Sequence, residues 1–232
     1  KKNKIKYSLG LGEPAFNTPN IIIREAYKAM KSGYTRYSNP LGLKELIERI
    51  KVKSIKENNI HYEGDSVIVT PGAKMALSLS LMSILNKGDE VIYFSPCYTS
   101  YLPQIILANY QAKPRAINLH KKDFSLDFKK FKKFLNQKTK AIIINSPHNP
   151  SGKMYSETEF KKIAQIIKKF PKCFLIVDEI YEKLNFSGKK HFSAASIKSI
   201  RNRVITINGF SKSFSMTGWR IGYCLANNRI IK

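Results

Sequence analysis

Two unbroken apolar stretches, Ala141–Asn145 and Cys173–Val177, constrain the possible folds of this chain more than any other feature. A strand that is apolar at successive positions, rather than at alternate ones, is covered on both faces, as happens in sheets flanked by helices. Further strand-like runs fall at Ser66–Thr70, Val91–Phe94, Ala112–Leu119, Arg203–Asn208 and Trp219–Leu225. Helical segments lie between them at Leu43–Asn58, Ala73–Leu85, Leu126–Leu135 and Glu157–Phe170. This alternation predicts an α/β fold: a doubly wound, mostly parallel sheet with helices on both faces and ligand sites at the strand ends. A chain of 232 residues has room for one sizeable core, or for one domain with a small appendage.

Local signals refine the pattern. Tyr7–Gly12 is a short β-like run that ends in the turn Gly12-Glu13-Pro14. A helix through Lys31 follows, with Thr18 as the expected N-cap and Pro19 at the first helical position. Ile22, Ile23, Ala26, Ala29 and Met30 give that helix one apolar face for burial. Ser156 with Glu159 three residues on is a capping box. Phe186–Ile200 has neither period and is expected to be a loop.

Composition narrows the functional classes. The formal charge is +25, which suits an anionic partner. The lysines are nevertheless spread along several helices, with no arginine-rich helix, zinc finger or RNA-recognition signature, so nucleic acid is not expected as a partner. No apolar run approaches the length of a membrane span, and no membrane association is expected. The basic start lacks the apolar core of a secretory signal. Cys97, Cys173 and Cys224 are odd in number and widely spaced, which fits reduced thiols and a cytoplasmic location.

The chemistry-bearing residues sit at the strand ends. Lys212 follows the run Arg203–Asn208, among small and aromatic residues in Gly209-Phe-Ser-Lys-Ser-Phe-Ser-Met-Thr-Gly-Trp-Arg-Ile-Gly222. An amine there can form a Schiff base with a carbonyl if its surroundings bring its pKa down from ~10.4. Arg220, eight residues on, is a fixed cation suited to a phosphate. Pro71-Gly72 opens the helix Ala73–Leu85, whose free N–H groups and dipole favour an anion. Asp178 ends the buried run Cys173–Val177, and Asn145–Gly152 is a Pro/Asn-rich turn after another.

Ser-Lys-x-Phe-x-Met-x-Gly-Trp-Arg-Ile-Gly, Asn-x-Pro-x-Asn-Pro-Ser-Gly and Asp-Glu-Ile-Tyr, in their order along the chain, resemble the class I/II pyridoxal-phosphate-dependent aminotransferases, in the aspartate aminotransferase-like branch. The resemblance runs from Gly12 to Gly222. It implies that Lys212 holds pyridoxal 5'-phosphate as a Schiff base, and that its freed amine moves the substrate's α-proton. Asp178 would pair with the ring nitrogen, Asn149 and Tyr181 would bond the phenolic oxygen, and Tyr98 would cover the ring. Gly72, Ala73, Lys74 and Arg220 would hold the phosphate, joined by Tyr37 from the neighbouring subunit of a homodimer. Gly12, Lys74 and Asn149 would face the substrate, with Lys74 favouring aspartate- or glutamate-like dicarboxylates. His148 belongs to the turn pattern and is given no proton-transfer role.

Two departures bear on these expectations. Gly209 stands where relatives often carry serine, which removes one hydroxyl from the phosphate cup. Family members also run to nearly twice this length. The chain is therefore expected to be a fragment: residues 1–35 contribute to a small domain and the subunit contact, and residues 36–232 form the cofactor-binding large domain. The C-terminal part, with the arginine that grips the substrate α-carboxylate, would be missing, and slow turnover or none is expected of these residues alone. A lyase or synthase on the same fold, or a basic binding protein without enzymatic activity, are the alternatives.

Overall fold

The structure is a computed structural model that describes residue 10 and residues 12–232. Most of the run expected as β-like at Tyr7–Gly12 lies outside the described residues. The helices are α1 (Asn20–Lys31), α2 (Lys44–Asn58), α3 (Ala73–Ile84), α4 (Tyr101–Ala108), α5 (Phe128–Phe134), α6 (Glu157–Ile167) and α7 (Asn228–Ile231). The strands are β1 (Val67–Thr70), β2 (Glu90–Ser95), β3 (Lys113–Asn118), β4 (Thr139–Asn145), β5 (Phe174–Asp178), β6 (Val204–Gly209) and β7 (Gly222–Leu225). Together they form one seven-stranded sheet in the order β1-β7-β6-β5-β4-β2-β3. All neighbours are parallel except β7, which runs antiparallel to both β1 and β6.

The two-sided core accounts for the unbroken apolar runs. Ile142 and Ile144 of β4, with Leu175 and Val177 of β5, pack toward α5 and α6 around Phe131, Phe160 and Ile163. Their alternate neighbours Ala141, Ile143 and Ile176 face α3 and α4 with Leu77, Leu81 and Ile105. A smaller third cluster seats Ile50 of α2 on Val67, Tyr223 and Leu225 at the β1–β7 edge. Residues between Phe186 and Ile200 form an extended connection with a short 3-10 turn at Ala194–Ser196.

The Ser156–Glu159 capping box forms as expected: the Glu159 amide reaches Ser156 Oγ at 3.2 Å, and the Ser156 amide reaches Glu159 Oε2 at 2.8 Å. Three expectations are corrected. Thr18 does not cap α1; Pro19 holds the N-cap position, and the Thr18 hydroxyl instead donates to the Ser215 carbonyl at 2.6 Å and accepts from Trp219 Nε1 at 3.1 Å. The face of α1 bearing Ile22, Ile23, Ala26, Ala29 and Met30 is not buried by the described residues; Ile23 and Met30 are exposed. The strand expected over Trp219–Leu225 starts only at Gly222, because Arg220 has φ +56°, a left-handed conformation that breaks an extended run.

Candidate active site

The site lies where parallel strands β4, β5 and β6 end together. The ladder places Asn145 of β4 beside Asp178 of β5, and Asp178 beside Ile207 of β6. Asn145 is buried and uses its side chain twice: Nδ2 donates to the Asp178 carbonyl at 2.8 Å, and Oδ1 accepts from the Asn149 amide at 2.6 Å. It thus fixes the turn that carries Asn149, whose Nδ2 lies 3.2 Å from the Tyr181 hydroxyl. Sequence reasoning placed Asn145 only at the start of that turn. A polar residue that ends an apolar strand needs buried partners, but the sequence does not say which.

Asp178 is 9% exposed. Its Oδ2 accepts from the Tyr101 hydroxyl at 2.8 Å, and its Oδ1 from the Ile180 amide at 3.2 Å. Burial pushes its carboxyl up to about 6, although the Tyr101 and Ile180 contacts pull the other way; the neighbouring Glu179 charge adds to the rise. Among the described residues no lysine, arginine or histidine pairs with it. A buried carboxylate without a cation is what a protonated ring nitrogen would satisfy. Tyr101 is the other residue that sequence reasoning passed over. It opens α4, and its burial against Tyr98 is invisible without the fold.

Lys212 lies in the loop after β6, half-buried, with its Nζ 6.0 Å from the Tyr181 ring centroid and donating to the Gly12 carbonyl. Burial lowers the pKa of its ammonium; Tyr98 and Glu13 oppose that effect, and the positive Arg220 reinforces it. Tyr98 meets Tyr101 edge-to-face at 5.6 Å and lies 5.8 Å from Lys74 Nζ. Glu13 accepts from the Thr217 hydroxyl at 2.9 Å, tying the segment around Gly12 to the lysine loop.

The anion-binding corner forms between α3 and β7. Gly72 is the N-cap of α3 with φ +83°, and a Cβ built on it would stand 2.2 Å from Arg220 Nη2. A Cβ on Gly222 would come within 2.2 Å of the Ala73 amide nitrogen, so the backbones of the two glycines are almost in contact. The result is a guanidinium beside the open N-terminus of a 12-residue helix. Arg220 Nη1 also donates to the Thr217 carbonyl at 2.8 Å. At Gly209, the position of the missing serine, a Cβ would lie 3.0 Å from Gly222 Cα and the Ile221 carbonyl. The close approach of β7 thus favours glycine there.

The fold therefore brings Gly12, Gly72, Ala73, Lys74, Tyr98, Asn149, Asp178, Tyr181, Lys212 and Arg220 to one end of the sheet. Tyr37 is the exception. It is fully exposed on the loop before α2, away from this cluster. His148 faces its own turn, with Nδ1 2.7 Å from Ser151 Oγ, and burial lowers its pKa.

A mostly parallel α/β sheet with a lysine loop, a buried acid and a helix-start anion corner at its strand ends defines the class: a large domain of the pyridoxal-phosphate-dependent transferase type. The family follows from comparison. The model for aminotransferases of class I and II matches residues 4–232, and the chain belongs to that family. It is 41% identical over 227 residues to a probable aspartate/prephenate aminotransferase of Rickettsia bellii, covering 97% of this chain and 56% of that protein. It is 42% identical over 226 residues to an aspartate aminotransferase of Bacillus subtilis, covering 97% and 57%. Among solved structures, the aromatic aminotransferase of Pyrococcus horikoshii superposes with a TM-score of 0.91 at 38% identity, over 96% of this chain and 59% of that one. The aspartate aminotransferase of Thermus thermophilus with maleate gives 0.90 at 34% identity, over 95% and 56%. The chain thus spans a little over half the length of the relatives it matches. Among the described residues no helix is long and apolar enough to cross a membrane.

Proposed function

We propose that this chain carries the cofactor-binding part of a pyridoxal-phosphate-dependent aminotransferase that moves an amino group between an L-amino acid and a 2-oxo acid. Residues 36–232 act as its large domain, and residues 1–35 contribute to a small domain and a subunit contact in a homodimer. The reading rests on one juxtaposition: an amine partly withdrawn from water on the loop after β6, and a buried carboxylate lacking a cation at the end of adjacent β5.

When bound, pyridoxal phosphate supplies a carbonyl for Schiff-base formation and a ring that accepts electrons from the substrate's α-carbon. The residues of this chain do the rest. Lys212 Nζ would hold the cofactor through its carbonyl, and as a free amine it would be the base placed to take a proton from the substrate's α-carbon. Its lowered pKa increases the fraction of amine able to do both. Asp178 would set its charge against the ring nitrogen and favour a proton there, a pairing that would oppose the rise of its own carboxyl. Asn149 Nδ2 and Tyr181 Oη, 3.2 Å apart, offer two donors to one phenolic oxygen. Tyr98 covers the ring face. The α3 N-terminus at Gly72–Lys74 and the Arg220 guanidinium neutralise the phosphate, with Tyr37 completing the cup from the partner subunit.

Lys74 faces the site from α3 and favours a substrate with a second carboxylate, as in aspartate or glutamate. The names of the Rickettsia bellii and Bacillus subtilis relatives agree with that preference. The decisive experiment is absorbance of the protein with added pyridoxal phosphate, then borohydride reduction and peptide mapping. A reduced pyridoxyl adduct on Lys212 is expected. An adduct scattered over surface lysines, with none at residue 212, would refute the assignment.

A further inference from the structure

Next to Asp178 in sequence, but pointing away from the site, is a second buried acid. Glu179 is 1% exposed, and its Oε1 accepts from the Ser193 hydroxyl at 2.7 Å. Its Oε2 lies 3.1 Å from His191 Nε2, off the line of a straight hydrogen bond, so both atoms are buried without a hydrogen-bond partner. Glu182 stands on the other side and is already engaged, accepting from Lys53 Nζ and from Asn58 Nδ2 at 3.0 Å. Oxygen or nitrogen atoms of Glu179, Glu182 and His191 all lie within 4.8 Å of one another. A metal ion at these three would have to displace the Lys53 ammonium from Glu182, so a proton is the better candidate for the missing charge.

The charges around His191 can be counted. Glu179 and Glu182 belong to the turn after β5, Lys53 and Glu57 to α2, Lys153, Glu157 and Glu159 to the cavity wall at the start of α6, and Lys189 and Lys190 to the exposed stretch just before His191. Glu57 is engaged by Lys183 at 2.6 Å, and Glu159 by Lys153 at 2.9 Å. Lys53 balances Glu182, Lys189 and Lys190 are exposed to water, and among the described residues His191 is the one cationic group within ion-pair distance of Glu179. The ring borders a cavity of about 650 Å³, roomy enough for water to reach it. Burial alone would lower the imidazole's pKa, but the charge and contact of Glu179, with Glu182 behind it, outweigh burial and raise it.

We propose that His191 is a positioning residue for the site: by carrying a proton it balances Glu179, and so leaves adjacent Asp178 as the one carboxylate at the β5 end open to a cationic ligand. Without that proton the Glu179 charge would act on Asp178 unopposed and hold its carboxyl higher still. The pairing also pins the connection carrying His191 and Ser193 to the turn that presents Tyr181. The consequence for cofactor binding rests on the aminotransferase reading; the electrostatic coupling does not.

Carboxyl-detected NMR titration of Asp178 in the cofactor-free chain tests this directly. His191→Gln is expected to move the Asp178 midpoint upward by about one pH unit. Glu179→Gln combined with His191→Gln removes the acid along with its counter-charge and is expected to bring the midpoint back to the parent value. A purely structural role would leave Asp178 unmoved by the first change, or moved and not restored by the second, and either result overturns the proposal. Should the single variant fail to fold, titration of the His191 ring in the parent decides: a midpoint above ~6.5 is expected, and one below it overturns the proposal. A parent that takes up no pyridoxal phosphate would sink the aminotransferase reading while leaving these titrations intact.

Discussion

The two halves of the site are built differently. On the sheet side, Asn145, Asp178 and Tyr101 are buried, their side chains hydrogen-bonded, and the two strand residues are also held by the parallel ladder. On the open side, Lys212 is half-buried, Arg220 is exposed, and α1 fully buries no residue of its apolar face and leaves Ile23 and Met30 exposed. The difference matches the demands on each half. An electrostatic partner must already be in place and desolvated when charge develops. An amine that attaches, leaves and carries a proton must be able to change partners.

This contrast can be broken or sharpened by substitution. The largest effect is expected at the open side's one indispensable group: Lys212→Ala should abolish the borohydride-fixed adduct at that position, as read by mass spectrometry. Asp178→Asn comes next, with pyridoxal phosphate binding weakened by about 10–100-fold, since a neutral amide forfeits the charged pairing worth about 1.5–3 kcal/mol. The same change should stabilise the cofactor-free chain above pH 6. The folded-state pKa of Asp178, about 6, is raised above the unfolded ~3.9, so the cost of the bare buried carboxylate is complete above the higher value. It fades as pH falls through 6 toward 4. Urea denaturation at pH 8 and pH 4 should therefore give a gain of about 1–3 kcal/mol for the asparagine variant at pH 8 and little at pH 4. Equal gains at both pH values would refute the charge-based account.

Tyr101→Phe should cost about 1–2 kcal/mol by loss of the hydrogen bond to Asp178, and should raise that carboxyl further. The smallest effect is expected on α1, where Met30→Ala should change the stability of this chain by no more than about 0.5 kcal/mol. By contrast, Phe160→Ala in α6 should cost about 3–5 kcal/mol. A large loss from Met30→Ala would mean that the open side is packed after all.

Helices α1 and α6 also show how far the sequence could be read. Both carry a clear apolar stripe, and α6 has Ser156 and Glu159 to mark its start. The stripe of α6 is buried at Phe160, Ile163, Ala164 and Ile167, as its pattern predicts. The stripe of α1 is not buried, because periodicity says which face is apolar and nothing about whether a surface within the chain meets it. The same limit separates the site residues. Lys212, Asp178 and Asn149 lie in motifs whose residue order is distinctive. Tyr101 and Asn145 act through partners distant in sequence, Asp178 in both cases; the register of β4 on β5 reveals the second contact, and the packing of α4 on the sheet the first. Thr18 was misread for a related reason: a threonine before a proline is a local capping signal, but here the hydroxyl is engaged by Ser215 and Trp219, nearly 200 residues away.

The antiparallel strand β7 has a consequence for how the molecule is made. Among the described residues it is the only neighbour of β1, and it supplies the glycine against which the Gly72 turn rests. On a ribosome, β1 emerges ahead of the other described strands and must wait, unpaired, until β7 has been synthesised. Uptake of a phosphate-bearing ligand at that corner would therefore report that this sheet has closed.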